Sequence, residues 1–89
     1  MHIEYDPAKR DATLLARGLD MARSAELWNG PTVTIPDTRR DYGEARFMTV
    51  GRLSARMVVL IWTPRGDTRR IISLRKANAR EQATYRASL

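Results

Sequence analysis

Apolar residues follow a helical spacing in the first third of the chain and a strand spacing in most of the rest. Asp6 and Pro7 are a typical N-cap and first residue of a helix, and Gly18 ends that helix. Its apolar positions recur at helical spacing: Ala8, Ala12, Leu14, Leu15 and Leu19. A short strand over His2–Tyr5 precedes it, and a second helix is predicted over Met21–Trp28.

Beyond the second helix, four segments carry strand patterns. They are Thr32–Ile35, Glu44–Arg52, Met57–Trp62 and Arg69–Arg75. The third is apolar throughout, which predicts a central strand covered on both faces. Asn78 with Glu81 three residues later forms a capping-box pattern, so a last helix is predicted from there to about Ala87.

These elements predict one small α+β domain over residues 1–89. Short connections between the four consecutive strands favour an antiparallel meander. We expect the two N-terminal helices and the C-terminal helix to pack on one face of that sheet.

The charge of the chain changes the picture, because it is uneven. The net charge is +6. Residues 45–89 hold ten basic and two acidic side chains, a net +8, whereas residues 1–44 are net −2. Arginine outnumbers lysine 14 to 2, and planar guanidinium groups suit bidentate contacts with phosphate. A polyanion partner, either nucleic acid or an acidic protein, is therefore indicated beside the plainer interpretation of a solvated basic face.

The residue inventory excludes several classes of chemistry. The chain has no cysteine, so disulfides, thiolate nucleophiles and Cys-bearing zinc sites are ruled out. His2 is the single histidine, which argues against a metal centre and a Ser–His–Asp triad, and no cofactor is predicted. The longest apolar run has six residues, so we expect no membrane span and a cytoplasmic protein.

One reaction class remains open to this inventory, namely metal-free cleavage of RNA. RNA carries its own nucleophile, the 2′-hydroxyl group. The protein then has to supply cations for the charge that builds up on phosphorus, a base for the 2′-hydroxyl and an acid for the departing 5′-oxygen.

Several segments, in order along nearly the whole chain, resemble the BrnT-type toxins of the RelE-like superfamily. Ile3–Lys9 is similar to the opening F-E-W-D-P-x-K, and Gly43–Gly51 to x-E-x-R-F-x-x-I-G. Thr63–Asp67 resembles T-x-R-G-D. The most specific match starts at Arg70 and reaches Tyr85, similar to R-I-I-S-A-R-x-A-x-x-x-E-x-x-x-Y.

The resemblance implies a small RelE-like domain and the toxin of a type II toxin–antitoxin system. It would be an endoribonuclease that inhibits translation and is neutralised by a cognate ribbon–helix–helix antitoxin. The resemblance further implies a heterotetramer of two toxins and two antitoxins, which contacts operator DNA only through the antitoxin. One departure concerns Ala16 and Arg17, which stand where the family usually has Lys-His, and arginine cannot act as a general base near neutral pH.

Five residues are our candidates for catalysis, with alternative roles for two of them. Arg46, Arg70 and Arg75 would contact the scissile phosphate. Arg70 and Arg75 point to opposite faces of a regular strand, so a bulge near Ser73 or a bend into the last helix is needed to bring both to one site. Candidate RNA contacts outside the reacting centre are Lys9, Arg52, Arg65 and Arg80.

Glu44 is our candidate base, because residues two apart on a strand project from the same face and its carboxylate can meet Arg46. Glu44 could equally serve only as the ion-pair partner of Arg46. Tyr85 is either an acid or phosphate ligand, or a ring that completes the core. Two functions of other classes stay open: a non-catalytic basic module that binds RNA or the ribosome, and a basic subunit that only receives an acidic partner.

Overall fold

In the computed structural model, which describes residues 1–89, the strands form one five-stranded mixed sheet. The strands are β1 (His2–Glu4), β2 (Val33–Pro36), β3 (Phe47–Leu53), β4 (Arg56–Arg65) and β5 (Thr68–Lys76). Their order is β1-β5-β4-β3-β2. The α+β class is confirmed. The predicted antiparallel strands are β2 to β5, but β1 pairs parallel to β5 and makes the sheet mixed, which corrects the predicted arrangement.

The helices are α1 (Pro7–Arg17), a 3₁₀ helix (Met21–Asn29) and α2 (Ala79–Tyr85), which a 3₁₀ turn over Arg86–Ser88 follows. The predicted second helix is present, and it is a 3₁₀ helix rather than an α-helix. The residues it buries are three apart, namely Met21, Ser24 and Leu27, and this spacing matches the three residues per turn of a 3₁₀ helix.

The helices lie on both faces of the sheet, so the prediction of a single covered face was also wrong. The reason is β4, whose segment Met57–Trp62 is apolar throughout and fully buried. Its even-numbered residues pack with the 3₁₀ helix, and its odd-numbered residues pack with Tyr85 and Leu89 at the other side. We call these two sides the 3₁₀ face and the α2 face.

Helix α1 begins and ends as predicted, but of its predicted apolar stripe only Leu19, which follows the helix, is part of the core. Asp6 accepts a hydrogen bond from Ala8 N–H, and Gly18 ends the helix at φ 68°. No residue of α1 is buried, and Leu15 is 91% exposed. The expectation that the stripe packs on the sheet was therefore wrong for the positions within α1, and Leu19 alone joins the core.

Polar contacts dock α1 on an open edge of the sheet instead. Strand β1 covers only the first three residues of β5, so the rest of that edge lacks a strand partner. The ammonium group of Lys9 donates to the Ile72 carbonyl, and the Arg17 guanidinium donates to the Leu74 carbonyl at 2.9 Å. Covering an unpaired edge in this way prevents pairing with another chain.

A glycine lets the 3₁₀ helix lie close to β3. A Cβ atom added at Gly51 would stand 2.9 Å from Leu27 Cγ and 3.1 Å from Thr32 Cγ2. No side chain fits there unless the Leu27 and Thr32 side chains move. Close packing of the Leu27 side chain on β3 thus depends on Gly51.

None of the helices is long and apolar enough to cross a membrane.

Candidate active site

A bulge in β5 brings two of the predicted arginines to one face. The register between β4 and β5 shifts between Ile61 and Trp62, where Ile72 of β5 has no partner. The β4 residues opposite Arg70 and Arg75 are consequently four positions apart, and an even separation puts both arginines on the same face. This is the α2 face, and the bulge that the sequence required is present.

The same alternation places two further arginines on the α2 face. Arg52 is opposite Met57, whose side chain packs with the α2 cluster, and Arg65 lies two positions after Thr63 on β4. Arg65 and Arg70 both approach the carboxylate of Glu4, at 3.8 Å each. The α2 face therefore carries four arginines around its apolar cluster: Arg52, Arg65, Arg70 and Arg75.

Glu44 and Arg46 meet in the loop before β3. Because β3 starts at Phe47, the prediction that they belong to one strand was wrong, but their expected contact is present. Arg46 Nε donates to Glu44 Oε2 at 3.2 Å, and the guanidinium carbon lies 4.0 Å from the centre of the Tyr42 ring. This stacking and the ion pair together orient the guanidinium plane of Arg46.

Two backbone anchors hold this loop on the sheet. Asp37 N–H donates to the Arg46 carbonyl at 2.8 Å, and the Thr63 hydroxyl donates to the Ala45 carbonyl at 2.6 Å. Thr63 is also the β4 residue opposite Arg70. Arg46 and Arg70 therefore lie at the same end of the sheet, where their long side chains can approach one phosphate.

Two neighbouring cavities open beside this loop and share Pro36–Thr38. The larger, of about 520 Å³, is lined among others by Tyr42, Glu44 and Arg46. The smaller, of about 300 Å³, is lined among others by Arg39, Arg75 and Glu81. Tyr42 and Arg39 line these cavities but are not among the predicted site residues, because they lie in the connection between two predicted strands.

A buried carboxylate, that of Asp37, lines both cavities. Its side chain is 3% exposed and accepts a forked ion pair from Arg39 at 2.8 and 2.9 Å. The Arg39 hydrogen bonds hold the pKa of Asp37 below its ordinary value. Asp37 was missed by the sequence analysis, although an Asp two residues before an Arg at a strand end is a local pattern for such a turn.

Arg75 stands apart from the Arg46 end of the site and is already paired. Four strand residues span roughly 13 Å, so Arg75 lies about that far along the sheet from Arg70. Both its terminal nitrogens donate to Glu81, at 2.7 and 2.8 Å. Glu81 also accepts from Asn78 N–H in the capping box of α2, and the pair with Arg75 lowers the pKa of Glu81.

These two low carboxyl pKa values predict a loss of stability in acid. Since Asp37 and Glu81 ionise more readily in the folded state, they stabilise it above their ordinary pKa values of 3.8 and 4.5, and that contribution is lost as pH falls through the lowered values. Urea unfolding between about pH 7 and about pH 3 measures it.

Glu81→Gln is the matched variant for this experiment, because glutamine keeps the capping box but loses the charge. We expect the variant to be less stable than the parent at neutral pH and its stability to depend less on pH. Equal pH dependence of both proteins would contradict the assignment.

The remaining predicted residues lie outside the two cavities. Tyr85 packs against the apolar cluster of the α2 face, and Lys9 caps the β5 edge. Arg52 and Arg80 are exposed. The structure thus places Glu44 and Arg46 at the end of the sheet where Arg70 lies. Arg75 is paired with Glu81, Tyr85 packs in the apolar cluster, and Lys9 binds the edge of β5.

A family model described as the ribonuclease toxin BrnT of type II toxin–antitoxin systems matches residues 5–81. The chain belongs to this family. The match covers α1, all of β2 to β5 and the start of α2, so it includes both cavities of the BrnT domain. No curated protein matches the chain. The resemblance noted from the sequence is confirmed, and with it membership of a family of ribonuclease toxins.

Proposed function

We propose that the protein is a metal-independent endoribonuclease that cleaves RNA in the cytoplasm, inhibits translation and is neutralised by a cognate antitoxin. The observation that carries the proposal is the contact between Arg46 and Glu44 at an open cavity of about 520 Å³. A fixed cation beside a carboxylate is the minimum needed to attack a phosphodiester with the 2′-hydroxyl of RNA.

In this mechanism Glu44 accepts the 2′-hydroxyl proton, and the 2′-oxygen then attacks phosphorus. Arg46 and Arg70 stabilise the negative charge that develops on the phosphoryl oxygens. The bond from phosphorus to the 5′-oxygen breaks, and the leaving oxygen takes up a proton. The products are a 2′,3′-cyclic phosphate and a 5′-hydroxyl end.

The other candidates take roles around this centre. Arg75 keeps Nε–H as a donor that Glu81 leaves free, and it contacts a flanking phosphate rather than the scissile one. Tyr85 is our candidate for the acid that protonates the 5′-oxygen. Arg52, Arg65 and Arg80 attract the RNA backbone. Lys9 does not contact the RNA in this proposal, because its ammonium group binds the Ile72 carbonyl at the edge of β5.

Cleavage of a labelled RNA in the presence of EDTA tests the proposed function. We expect fragments that end in 2′,3′-cyclic phosphate when the toxin is purified free of its antitoxin. A gel shift without fragments would contradict the enzyme and favour the non-catalytic RNA-binding module. Fragments that form only with an added divalent metal would contradict metal independence.

We propose a ribbon–helix–helix antitoxin as the partner, in an assembly of two toxins and two antitoxins that binds operator DNA through the antitoxin. The net +8 of residues 45–89 supports an acidic or amphipathic antitoxin segment on this surface. Since exposed charges are screened beyond roughly 8–10 Å at physiological salt, we expect the association rate to fall steeply as salt increases. Stopped-flow mixing measures this, and a rate independent of salt would contradict the electrostatic contact.

A further inference from the structure

The larger cavity contains hydrogen-bonding groups that the protein itself does not use. The Arg40 guanidinium has no carboxylate or carbonyl acceptor, and its contact is with the Tyr42 ring, 5.2 Å from the ring centre. One carboxylate oxygen of Asp41 accepts from Gly43 N–H at 2.9 Å, and the other makes no hydrogen bond. Arg40 and Asp41 are both exposed, and Tyr42 is half-buried. A planar ring, a free fork of donors and a free acceptor thus line one cavity.

The loop that carries these groups is held before any ligand arrives. Its ends are fixed by the Asp37–Arg46 backbone hydrogen bond and by the Thr63 hydroxyl. The Tyr42 hydroxyl lies 3.5 Å from the buried carboxylate of Asp37. A ligand that enters the cavity therefore loses little affinity to ordering of the loop.

This combination of groups is complementary to one nucleobase. Every base can stack on an aromatic ring, so Tyr42 alone does not discriminate. Guanine has two acceptors, O6 and N7, on one edge, and an arginine fork binds them in a bidentate manner. Its adjacent Watson–Crick edge has the N1–H and N2–H donors, which a carboxylate accepts. Adenine places a donor beside N7. Cytosine has two adjacent acceptors, O2 and N3, but it has no neighbouring pair of N–H donors that a carboxylate could accept.

We propose that the cavity around Arg40, Asp41 and Tyr42 binds a guanine base of the RNA substrate. Arg40 leaves its position over the Tyr42 ring and binds O6 and N7, and the base stacks on the ring in its place. The free carboxylate oxygen of Asp41 accepts from the N1–H and N2–H edge. Arg46 touches the same Tyr42 ring at 4.0 Å, so a guanosine in the cavity presents its phosphate to the proposed catalytic arginine. The inference rests on the proposed function and adds base specificity to it: cleavage occurs next to guanosine.

Binding of mononucleotides tests the base pocket without any cleavage. The four ribonucleoside 3′-monophosphates are titrated into the protein and followed by amide chemical shifts. We expect guanosine 3′-monophosphate to shift the amides of residues 37–47 and to bind at least about 10-fold more tightly than the other three. Equal affinities for all four nucleotides, or shifts confined to other parts of the chain, would overturn the proposal.

Substitutions at Tyr42 and Arg40 distinguish the contribution of stacking to nucleotide binding from that of hydrogen bonding. Tyr42→Leu removes stacking and is expected to weaken binding of the guanine nucleotide about 10-fold or more, while Tyr42→Phe stays within about 3-fold of the parent. Arg40→Ala should remove the preference for guanine. Arg86→Ala is the matched control, because Arg86 is an exposed arginine outside both cavities. Loss of the preference in Arg86→Ala, or its retention in Arg40→Ala, would contradict the pocket.

Mapping of RNA fragment ends separates this inference from the proposed function. If the parent cleaves beside guanosine and Arg40→Ala cleaves with no base preference, the result supports both the guanine pocket and the proposed ribonuclease function. If both proteins cleave at identical positions and equal rates, the pocket is wrong but the ribonuclease is not. If guanosine 3′-monophosphate binds selectively but no RNA is cut, the pocket stands and the proposed function fails.

Discussion

Replacing Arg46 by alanine is expected to slow single-turnover RNA cleavage about 100-fold or more, because a donor aimed at the charge of the transition state is lost. The side chain is only 25% exposed and is oriented by Tyr42 and Glu44. Its backbone carbonyl, rather than its side chain, accepts the loop hydrogen bond from Asp37. The alanine variant therefore keeps the loop anchor, and the rate loss reports the guanidinium itself.

Arg46→Lys and Arg86→Ala are the controls for this prediction. Lysine keeps the charge but loses the planar fork and its stacking, so we expect an intermediate rate. Arg86→Ala changes an exposed arginine outside the cavities and should leave the rate within a few-fold of the parent. A folded Arg46→Ala protein that cleaves RNA as fast as Arg86→Ala would place the active site elsewhere.

The two roles left open for Glu44 are separated by the pH profile of Glu44→Gln. If Glu44 is the base, the variant loses the acidic limb of the kcat/KM profile that its ionisation produces. If Glu44 only orients Arg46, the rate falls but the shape of the profile is retained. The direct contact at 3.2 Å makes both roles possible geometrically, so the profile and not the rate decides between them.

Leu60→Ala is expected to lower the free energy of unfolding by about 2–4 kcal/mol, from lost transfer energy and from the cavity left behind. Leu60 is fully buried in the middle of β4, which has strands on both sides and elements packed on both faces. For a domain of this size that is a large fraction of the total stability. Urea denaturation monitored by tryptophan fluorescence gives the value.

Leu15→Ala is the matched control, because it makes the same chemical change at a position that is 91% exposed. We expect an effect within about 0.5 kcal/mol there. A loss below about 0.5 kcal/mol at Leu60 as well would mean that β4 is not the central strand. A loss at Leu15 comparable to that at Leu60 would mean that the apolar side of α1 is buried in solution.

Continuous local patterns predicted the framework well. The apolar run Met57–Trp62 indicated the central strand, and Asp6-Pro7 with Gly18 gave both ends of α1. The pattern of apolar residues could not predict which elements pack on each face of the sheet. The apolar side of α1 lies in solvent, while Lys9 and Arg17 of the same helix bind carbonyls of the β5 edge. Those carbonyls become available as partners only once the sheet is assembled.

The candidate site was predictable only in part, for reasons of register and loop geometry. Whether Arg70 and Arg75 share a face depends on the single unpaired residue Ile72, and no local pattern specifies a bulge. The Glu44–Arg46 contact was predicted from a strand spacing and arises in a loop. Tyr42 was overlooked, although an aromatic residue with arginines close on both sides was a usable indication of a nucleic-acid contact.

Attack by the substrate's own 2′-hydroxyl is the central claim, and one substrate tests it most directly. An RNA oligonucleotide with a single 2′-deoxy nucleotide immediately before the mapped cleavage position removes only the proposed nucleophile. In EDTA, the all-ribose RNA should be cut at that bond to a 2′,3′-cyclic phosphate, while the 2′-deoxy RNA should stay intact there. Cleavage of the 2′-deoxy bond at the same rate would contradict the mechanism.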